Sequence, residues 1–599
     1  MIEQTPRLRA QSVLNRFEFA LMHHRYDEAA AMFSEECYWR DLVAFTWNIV
    51  TLEGRAAISD MLASQLGFIR PRNFKVLEPD PIVEPDGSEL FWIRFETELG
   101  WGRGLLRLRG GRIFVLLTTL DALRGYEEKA GRSRPLGARH GASAPGPSWK
   151  EERDREEIRL GHFDQPYVVI IGGGQGAIAL GARLRQLDVP TIIVERNERP
   201  GDSWRNRYKS LCLHDPVWYD HLPYIDFPKT WPIFSPKDKI ADWLEFYVKV
   251  MELNYWSRST ALRARWSAEN KRWTVTVARP EGEVVLKPRH LVFATGMSGK
   301  PRIPAFPGRE RFKGEQHHSA HHPGPDAYRN KRVVVIGSNN SAHDICAALF
   351  HAGADVAMVQ RSPTTVVRSD TLMELGLGPL YSEEALERGV TTEKADLLSA
   401  AVPYRIMHRQ QIPIYETIRT RDADLYEDLE RAGFLLDWGA DGSGLAMKYL
   451  RRGSGYYIDV GASQLIIDGA IKLLRGQVVE LTRHGVKLDS GHEEPADVVI
   501  YATGYGSMNG FVADLIDQET ADRVGKVWGL GSDTPGDPGP WEGEQRNMWK
   551  PTQQEALWFQ GGNLHQARHY SQFLALQLKA RFEDLSTPVY GLQPSHHLR

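Results

Sequence analysis

The spacing of apolar positions changes along the first part of the chain. In SVLNRFEFALMHHRYDEAAAMF they recur at helical intervals, which predicts an amphipathic helix. In FWIRFETEL and GRIFVLLTTLDAL they alternate or run on continuously, which predicts strands. Helices first and curved antiparallel strands later predict an α+β unit over residues 1–130. The stretch 131–160 is rich in Gly, Pro, Ser and charge, has little to bury, and reads as a linker. From about residue 165 short β-branched runs alternate with helical patterns, the order of parallel α/β units. No repeat of solenoid length interrupts it.

Two segments carry more than a pattern. In YVVIIGGGQGAIALGARL a buried-strand run leads into Gly172-x-Gly174-x-x-Ala177 and then directly into a helical stretch. The first glycine permits the tight turn, the second lets the backbone approach a pyrophosphate, and the third small residue lets helix and strand pack closely. Gly172, Gly174, Gly176 and Ala177 are therefore candidate binding residues, with the helix N-terminus offering its free N–H groups. The next strand, TIIVE, ends in Glu195, about twenty residues on, where a carboxylate accepts hydrogen bonds from ribose hydroxyls.

The second segment is KRVVVIGSNNSAHDICAAL, with Gly337-x-Asn339-x-x-Ala342 after the strand. Gly337, Asn339, Asn340 and Ser341 are the corresponding candidates, and Asn339 is expected to tolerate the positive φ of a glycine. The following strand ends in Arg361-Ser362 instead of an acid, a pair suited to a ribose 2′-phosphate. One acid-ended and one Arg-ended loop in a single chain imply an FAD reduced by NADPH.

Composition narrows the alternatives. A net charge of −3 gives no reason to expect nucleic acid or an anionic membrane as partner. No apolar run approaches a membrane span, and MIEQTPRLRAQSV lacks a signal peptide's apolar centre. The three cysteines, Cys37, Cys212 and Cys346, are far apart, which fits a reducing cytoplasm and argues against a dithiol reductase.

FKGEQHHSAHH lies between the two loops and holds His317, His318, His321 and His322. Such a cluster suggests a metal, but no Cys or acid partner motif is near it, so no metal ligand is expected. The segment instead resembles the fingerprint of the class B flavin-dependent monooxygenases, FxGxxxHxxx(Trp, Tyr, Phe or His), filled by Phe312, Gly314, His318 and His322. GDSWRNRY, with Trp204, LVFATGMSGKPRIPAFPG, DVVIYATGYG, with Thr503 and Gly504, and GGNLHQARHYSQFLALQL, with Gly562 and Asn563, resemble further segments of that family. The resemblance covers about residues 160–590 and is closest to the type II flavin-containing and Baeyer–Villiger members. CYWRDLVAFTW and TLEGRAAISDML resemble the cone-shaped, nuclear-transport-factor-like (SnoaL-like) fold, in which Asp41 could line an apolar pocket.

The resemblance implies an α/β fold of two Rossmann-like domains, for FAD and NADPH, preceded by the α+β cone. The expected division is 1–130 cone, 131–160 linker, 161–330 first part of the FAD domain, 331–460 NADPH domain, and 461–599 second part of the FAD domain with the C-terminal segment. It further implies a monooxygenase that uses O2 through a peroxyflavin to oxygenate small ketones or sulfur and nitrogen centres, with NADH as a second possible reductant and a homodimer as a possible assembly. His318 is expected to couple domain motion to flavin chemistry; His317 and His321 fill no fingerprint position, with a plain solvated loop as the lesser alternative for them. His214 and Asp215, in YKSLCLHDP, are the candidates for setting protonation beside the flavin, with the carboxylate tuning the imidazole. The asparagine helix start at Gly562-Asn563 is expected to face the flavin ring. Two other classes remain open: an NADPH oxidase or reductase that leaks its peroxide, and a binding protein in which the cone does the work.

Overall fold

A computed structural model describes residues 5–78, 80–137, 146–534 and 536–595. Part of the expected linker, 138–145, lies outside them.

The N-terminal unit is α+β, built in a different order from the one expected. The first amphipathic stretch forms two helices, Pro6–Met22 and Tyr26–Ala31, because the chain turns at His24 with φ 53°. Two strands, Phe33–Leu42 and Ile49–Glu53, then precede the third helix, Gly54–Ile69. The strand Phe33–Leu42 pairs in parallel with Arg112–Leu123, while the remaining neighbours in the sheet run antiparallel. Aromatic rings fill the space between helices and sheet, with Phe17 against Phe33, Trp39 and Phe74.

This apolar core does not stop at the unit's edge. It continues into Met548, Trp549, Tyr570 and Phe573 near the C-terminus. Arg40, on the strand Phe33–Leu42, is buried against Glu544 in a two-pronged pair, with Nε–Oε1 2.7 Å and Nη2–Oε2 2.8 Å. The second half of the expected linker is also structured. A capping box of Ser148 and Glu151 starts the helix Trp149–Arg159. Arg153 on that helix is buried and donates to the Leu253 carbonyl and to Asn254 Oδ1.

Two five-stranded sheets, each wholly parallel, organise the rest, with small three-stranded antiparallel sheets at 260–286 and 478–495 beside them. The first runs Tyr255–Trp256, Thr191–Val194, Val168–Ile171, His290–Phe293, Leu557–Phe559. The second runs Glu315–His318, Val498–Tyr501, Arg332–Ile336, Asp355–Gln360, Lys472–Arg475. In both, the strand before the glycine loop is central, as a buried parallel strand requires. The fold is α/β with two dinucleotide-type sheets behind an α+β unit.

The second sheet redraws the expected boundaries at 330 and 460. It takes in Glu315–His318 from before the second loop, and Lys472–Arg475 and Val498–Tyr501 from the region assigned to the first domain's return. Backbone pairing at a sheet edge decides this, and apolar pattern alone does not report which sheet a strand joins. Between the strands Thr365–Arg368 and Tyr456–Asp459 the chain runs out into a set of helices from Ser369 to Arg452. Among the described residues no helix is long and apolar enough to cross a membrane.

Candidate functional site

Both glycine loops form a tight turn on their first glycine, and the other positions differ in what they meet. Gly172 has φ 97°, and a Cβ there would meet the Ala294 carbonyl oxygen at 2.6 Å, so both the turn and the packing demand glycine. Gly174 is different. A Cβ would find only Ser203 Oγ, at 3.7 Å, which leaves the second glycine facing open space, as a loop that admits a pyrophosphate must. Gly176 is a packing position: a Cβ there would lie 3.3 Å from the Gly561 Cα. Ala177 is buried on the same helix, Gln175–Gln186.

Glu195 is buried at the end of its strand and accepts hydrogen bonds from the backbone N–H groups of Gly173, at 2.6 Å, and Asn197, at 2.8 Å. The carboxylate is thus pinned to the loop it serves, and each oxygen keeps a second lone pair for a ribose hydroxyl.

The second loop repeats the turn. Gly337 has φ 132°, and a Cβ would meet the Ala502 carbonyl oxygen at 2.3 Å. Asn339 overturns the expectation of a positive φ: it is the N-cap of the helix Asn340–His351 at φ −101°. An N-cap takes extended backbone, which any residue adopts, so no left-handed tolerance is needed there. Asn340 Oδ1 accepts from Ile458 N–H, at 2.9 Å, and turns away from the loop mouth. Ser341 is half-buried on the first turn. Arg361 and Ser362 are exposed just past the strand Asp355–Gln360, and Arg361 has no ion-pair partner among the described residues.

The helix starts separate into two kinds. The helices after Gly174 and Asn339 begin without a side-chain cap, so their first N–H groups remain available to an anion. The helix Leu564–Phe582 begins with a capping box, Asn563 Oδ1 accepting from Gln566 N–H and Gln566 Oε1 from Asn563 N–H. Two of the groups expected to face the flavin ring are therefore bonded to each other.

Around the first loop the structure gathers residues from three distant segments. Trp204 Nε1 donates to Gln175 Oε1, Gln175 Nε2 donates to the Gly562 carbonyl, and Asn563 Nδ2 donates to the Tyr219 hydroxyl. Gly562 has φ 102° and closes against Gln566. Tyr219 and Gln175 carry no motif signal. Gln175 is marked only by lying next to Gly174, and Tyr219 by nothing.

The segment from Trp204 to Asp215 then spans both sheets. Arg207 Nη2 donates to the Tyr505 hydroxyl, and the Tyr208 hydroxyl donates to Asp344 Oδ2 on the second loop's helix, at 2.7 Å. His214 and Asp215 do not pair with each other. His214 lies within electrostatic range of Asp344, and Asp215 within range of Asp220 and Tyr219. Asp220 is buried with neither carboxylate oxygen hydrogen-bonded, and burial together with the Asp215 charge pushes its carboxyl well above the usual range. Beside it Arg568 holds the carbonyls of Tyr219 and His221 and pairs with Asp396.

The histidine cluster resolves into separate jobs. His318 is buried, its Nε2 bonded to the Gly504 carbonyl at 3.0 Å and its Nδ1 accepting from Ala320 N–H at 3.1 Å. Those two bonds fix the Nε2–H tautomer, and burial keeps the ring below its ordinary pKa. The ring also packs edge-on against Tyr505. His318 thus clasps the Thr503-Gly504 turn to the connection between the sheets, while Thr503 Oγ1 donates to the Arg302 carbonyl on the same connection. His317 is not in a solvated loop: it is half-buried and stacks with His322 and Tyr328. His321 is exposed. Asp41, expected to line an apolar pocket, is held by hydrogen bonds in the interior. It is buried in the N-terminal unit and accepts from Thr118, Thr46 and Phe45.

A family model described as pyridine nucleotide-disulphide oxidoreductase matches residues 169–427, a range holding both glycine loops. The three free cysteines, Cys37, Cys212 and Cys346, include no pair that would supply dithiol chemistry. The chain is 29% identical over 364 residues to the indole-3-pyruvate monooxygenase YUCCA1 of Oryza sativa subsp. japonica, covering 60% of this chain and 82% of that one. It is 27% identical over 344 residues to the probable indole-3-pyruvate monooxygenase YUCCA10 of Arabidopsis thaliana, covering 57% and 82%. Among solved structures, ε-caprolactone-bound cyclohexanone monooxygenase in its Loose conformation aligns with a TM-score of 0.50 at 18% identity, covering 70% of this chain and 88% of that one. That likeness is one of fold.

Proposed function

We propose that this chain, a flavin-dependent monooxygenase of the class B family, transfers one atom of O2 to a small ketone or to a sulfur or nitrogen centre, at the expense of NADPH. The balance is NADPH, H+, O2 and substrate in, and NADP+, water and oxygenated substrate out. One observation carries the reading: two Gly-turn loops, each opening an uncapped helix, are held in one frame by the Trp204–Asp215 segment and the His318 clasp.

Gly174, the first uncapped helix start and Glu195 suit FAD; Gly337, the second helix start, Arg361 and Ser362 suit NADPH. Bound FAD supplies the redox centre that accepts hydride and activates oxygen. The residues of the chain do the rest. Arg361 distinguishes the phosphorylated coenzyme by its unpaired guanidinium. His318, Arg207 and Tyr208 keep the two binding loops at a fixed distance, which hydride transfer demands. Burial and the nearby Asp215 charge favour the protonated carboxyl of Asp220, against the pull of Arg568, which gives the site a proton to lend. His214 lies within electrostatic range of Asp344 on the second loop's helix and is the candidate for moving a proton there.

The test is an isotope balance. With 18O2, NADPH and a panel of ketones and sulfides, the expected result is label in the product, one atom per NADPH consumed. NADPH consumption matched entirely by hydrogen peroxide, with no labelled product from any substrate, would identify an oxidase instead.

A further inference from the structure

The helices from Ser369 to Arg452 lie outside both glycine loops, yet they bring one buried carboxylate against the helix Leu564–Phe582. Asp396, on the helix Thr392–Ala400, is 4% exposed. Both of its oxygens are taken by Arg568, Nε to Oδ2 at 3.0 Å and Nη2 to Oδ1 at 2.8 Å. The Tyr381 hydroxyl donates to Oδ1 at 3.0 Å, and His565 Nε2 lies 3.3 Å from the same oxygen. Burial opposes the charge, but Arg568 and His565 outweigh it and hold the Asp396 carboxyl well below its ordinary range, so the pair is ionised.

Arg568 turns its other arm to a stretch of backbone. Its Nη1 donates to the carbonyls of Tyr219 and His221, each at 2.7 Å. Three further contacts fix the Tyr219 side chain. Its ring stacks on His565 with centroids 4.4 Å apart, it meets the Tyr381 ring edge-on at 4.8 Å, and its hydroxyl receives Asn563 Nδ2 at 3.2 Å. The direction of that last bond is set, because Asn563 Oδ1 already accepts from Gln566 N–H. Asn563 in turn ends the strip that packs on the first loop. The Gly562 carbonyl accepts from Gln175 Nε2 at 3.3 Å, and the Gly561 Cα is the atom that a Cβ on Gly176 would meet first. A continuous path of contacts thus runs from Asp396 to the helix start after Gly174.

Stability alone does not account for the ion pair. Desolvation offsets the attraction of buried charges, so apolar residues of similar volume hold a core as well or better. What the pair supplies is direction. A planar guanidinium bonded to a carboxylate along one edge and to two carbonyls from the other arm admits one placement of the turn it holds.

We propose that Asp396 is a positioning residue of the flavin site, acting through Arg568 on Tyr219 and Asn563 and so tying the helices 369–452 to the loop Gly172–Ala177. Asp396 has this role only if the first loop holds the flavin; the choice of substrate does not enter.

A double-mutant cycle read on FAD tests it. Release of FAD from the loaded full chain on dilution, followed by the rise in flavin fluorescence, gives the dissociation constant, and the visible spectrum of the bound flavin is recorded beside it. Asp396→Asn keeps the volume and removes the charge, and it should weaken FAD by about tenfold or more and shift the flavin bands. Tyr219→Phe should weaken FAD severalfold. In the double variant the losses should overlap, with FAD no more than about twofold weaker than in Asp396→Asn alone. Losses that multiply in the double variant overturn the proposal, and so does either single variant that holds FAD as tightly as the wild type. Should Asp396→Asn fail to fold, Tyr381→Phe, which takes one bond from Asp396 and keeps the ring, replaces it in the cycle under the same criteria. A wild-type chain that holds no FAD would remove the flavin reading itself, and this role of Asp396 with it, before any variant is compared.

Discussion

Arg40→Met removes the charge that ties the N-terminal unit to the rest of the chain. The guanidinium donates to both oxygens of Glu544, to the Ala400 carbonyl at 2.8 Å and to the Tyr570 hydroxyl at 3.1 Å, and it lies 4.6 Å over the Tyr404 ring. Arg40 is 1% exposed and Glu544 2%. Without Arg40, Glu544 keeps the Thr51 hydroxyl at 2.6 Å and the charge of buried Lys550 within electrostatic range, but no direct ion pair. Opposite charges about 4 Å apart at an effective dielectric of about 20 attract by about 4 kcal/mol. Breaking a buried pair from one side is destabilising by about 3–5 kcal/mol, in agreement. For 599 residues unfolding as one unit, at about 0.8 °C per kcal/mol, the midpoint of thermal unfolding falls by about 2–4 °C. Replacing both partners, Arg40→Met with Glu544→Met, removes the stranded charge and recovers much of the loss. The assay follows unfolding by circular dichroism and flavin release by fluorescence in the same sample. Because one apolar core runs from Phe17 to Phe573, both probes should shift together. A loss under about 1 kcal/mol in the single variant, or flavin release left in place while the N-terminal unit melts early, would refute the argument.

Gly174→Val should leave the apo fold intact, since its side chain meets no neighbour closer than Ser203, and should abolish flavin uptake; a yellow variant at full occupancy contradicts this. Gly172→Ala should instead lower the yield of folded protein, measured as soluble chain, because its Cβ would press on the Ala294 carbonyl. Arg361→Ala should raise the NADPH Michaelis constant by about ten- to a hundredfold and spare NADH; equal damage with both coenzymes would make it structural. His318→Ala should keep FAD and slow hydride transfer in stopped-flow, with His317→Ala much milder, since only His318 bonds the Gly504 turn; identical traces would remove the clasp from the argument. Deletion of residues 1–150 should give insoluble or flavin-free protein, because it uncovers the Trp549–Tyr570 face, and a yellow shortened enzyme with unchanged kinetics would show the N-terminal unit to be dispensable.

The chemistry of the two loops was legible in the chain because it is local. A tight turn, a close approach and a helix start all fall within six consecutive residues, and glycine is the residue each step selects. The same locality found the FxGxxxH segment and the two-sheet fold class. Local reading misplaced whatever depends on a partner far along the chain. Glu315–His318 joined the second sheet because its edge pairs with Val498–Tyr501, and the apolar pattern of four residues names no partner. Asn339 was expected at positive φ by analogy with a glycine, but the helix it caps holds it in extended backbone. His214 and Asp215 are adjacent in sequence and so looked like a pair, yet a turn sends them toward Asp344 and Asp220. Arg40 and Asp41 lie in CYWRDLVAFTW, whose resemblance suggested a pocket for Asp41 and no role for Arg40. Their roles come from burial, hydrogen bonds and a carboxylate more than five hundred residues away, at Glu544, quantities that exist only once the chain has closed on itself.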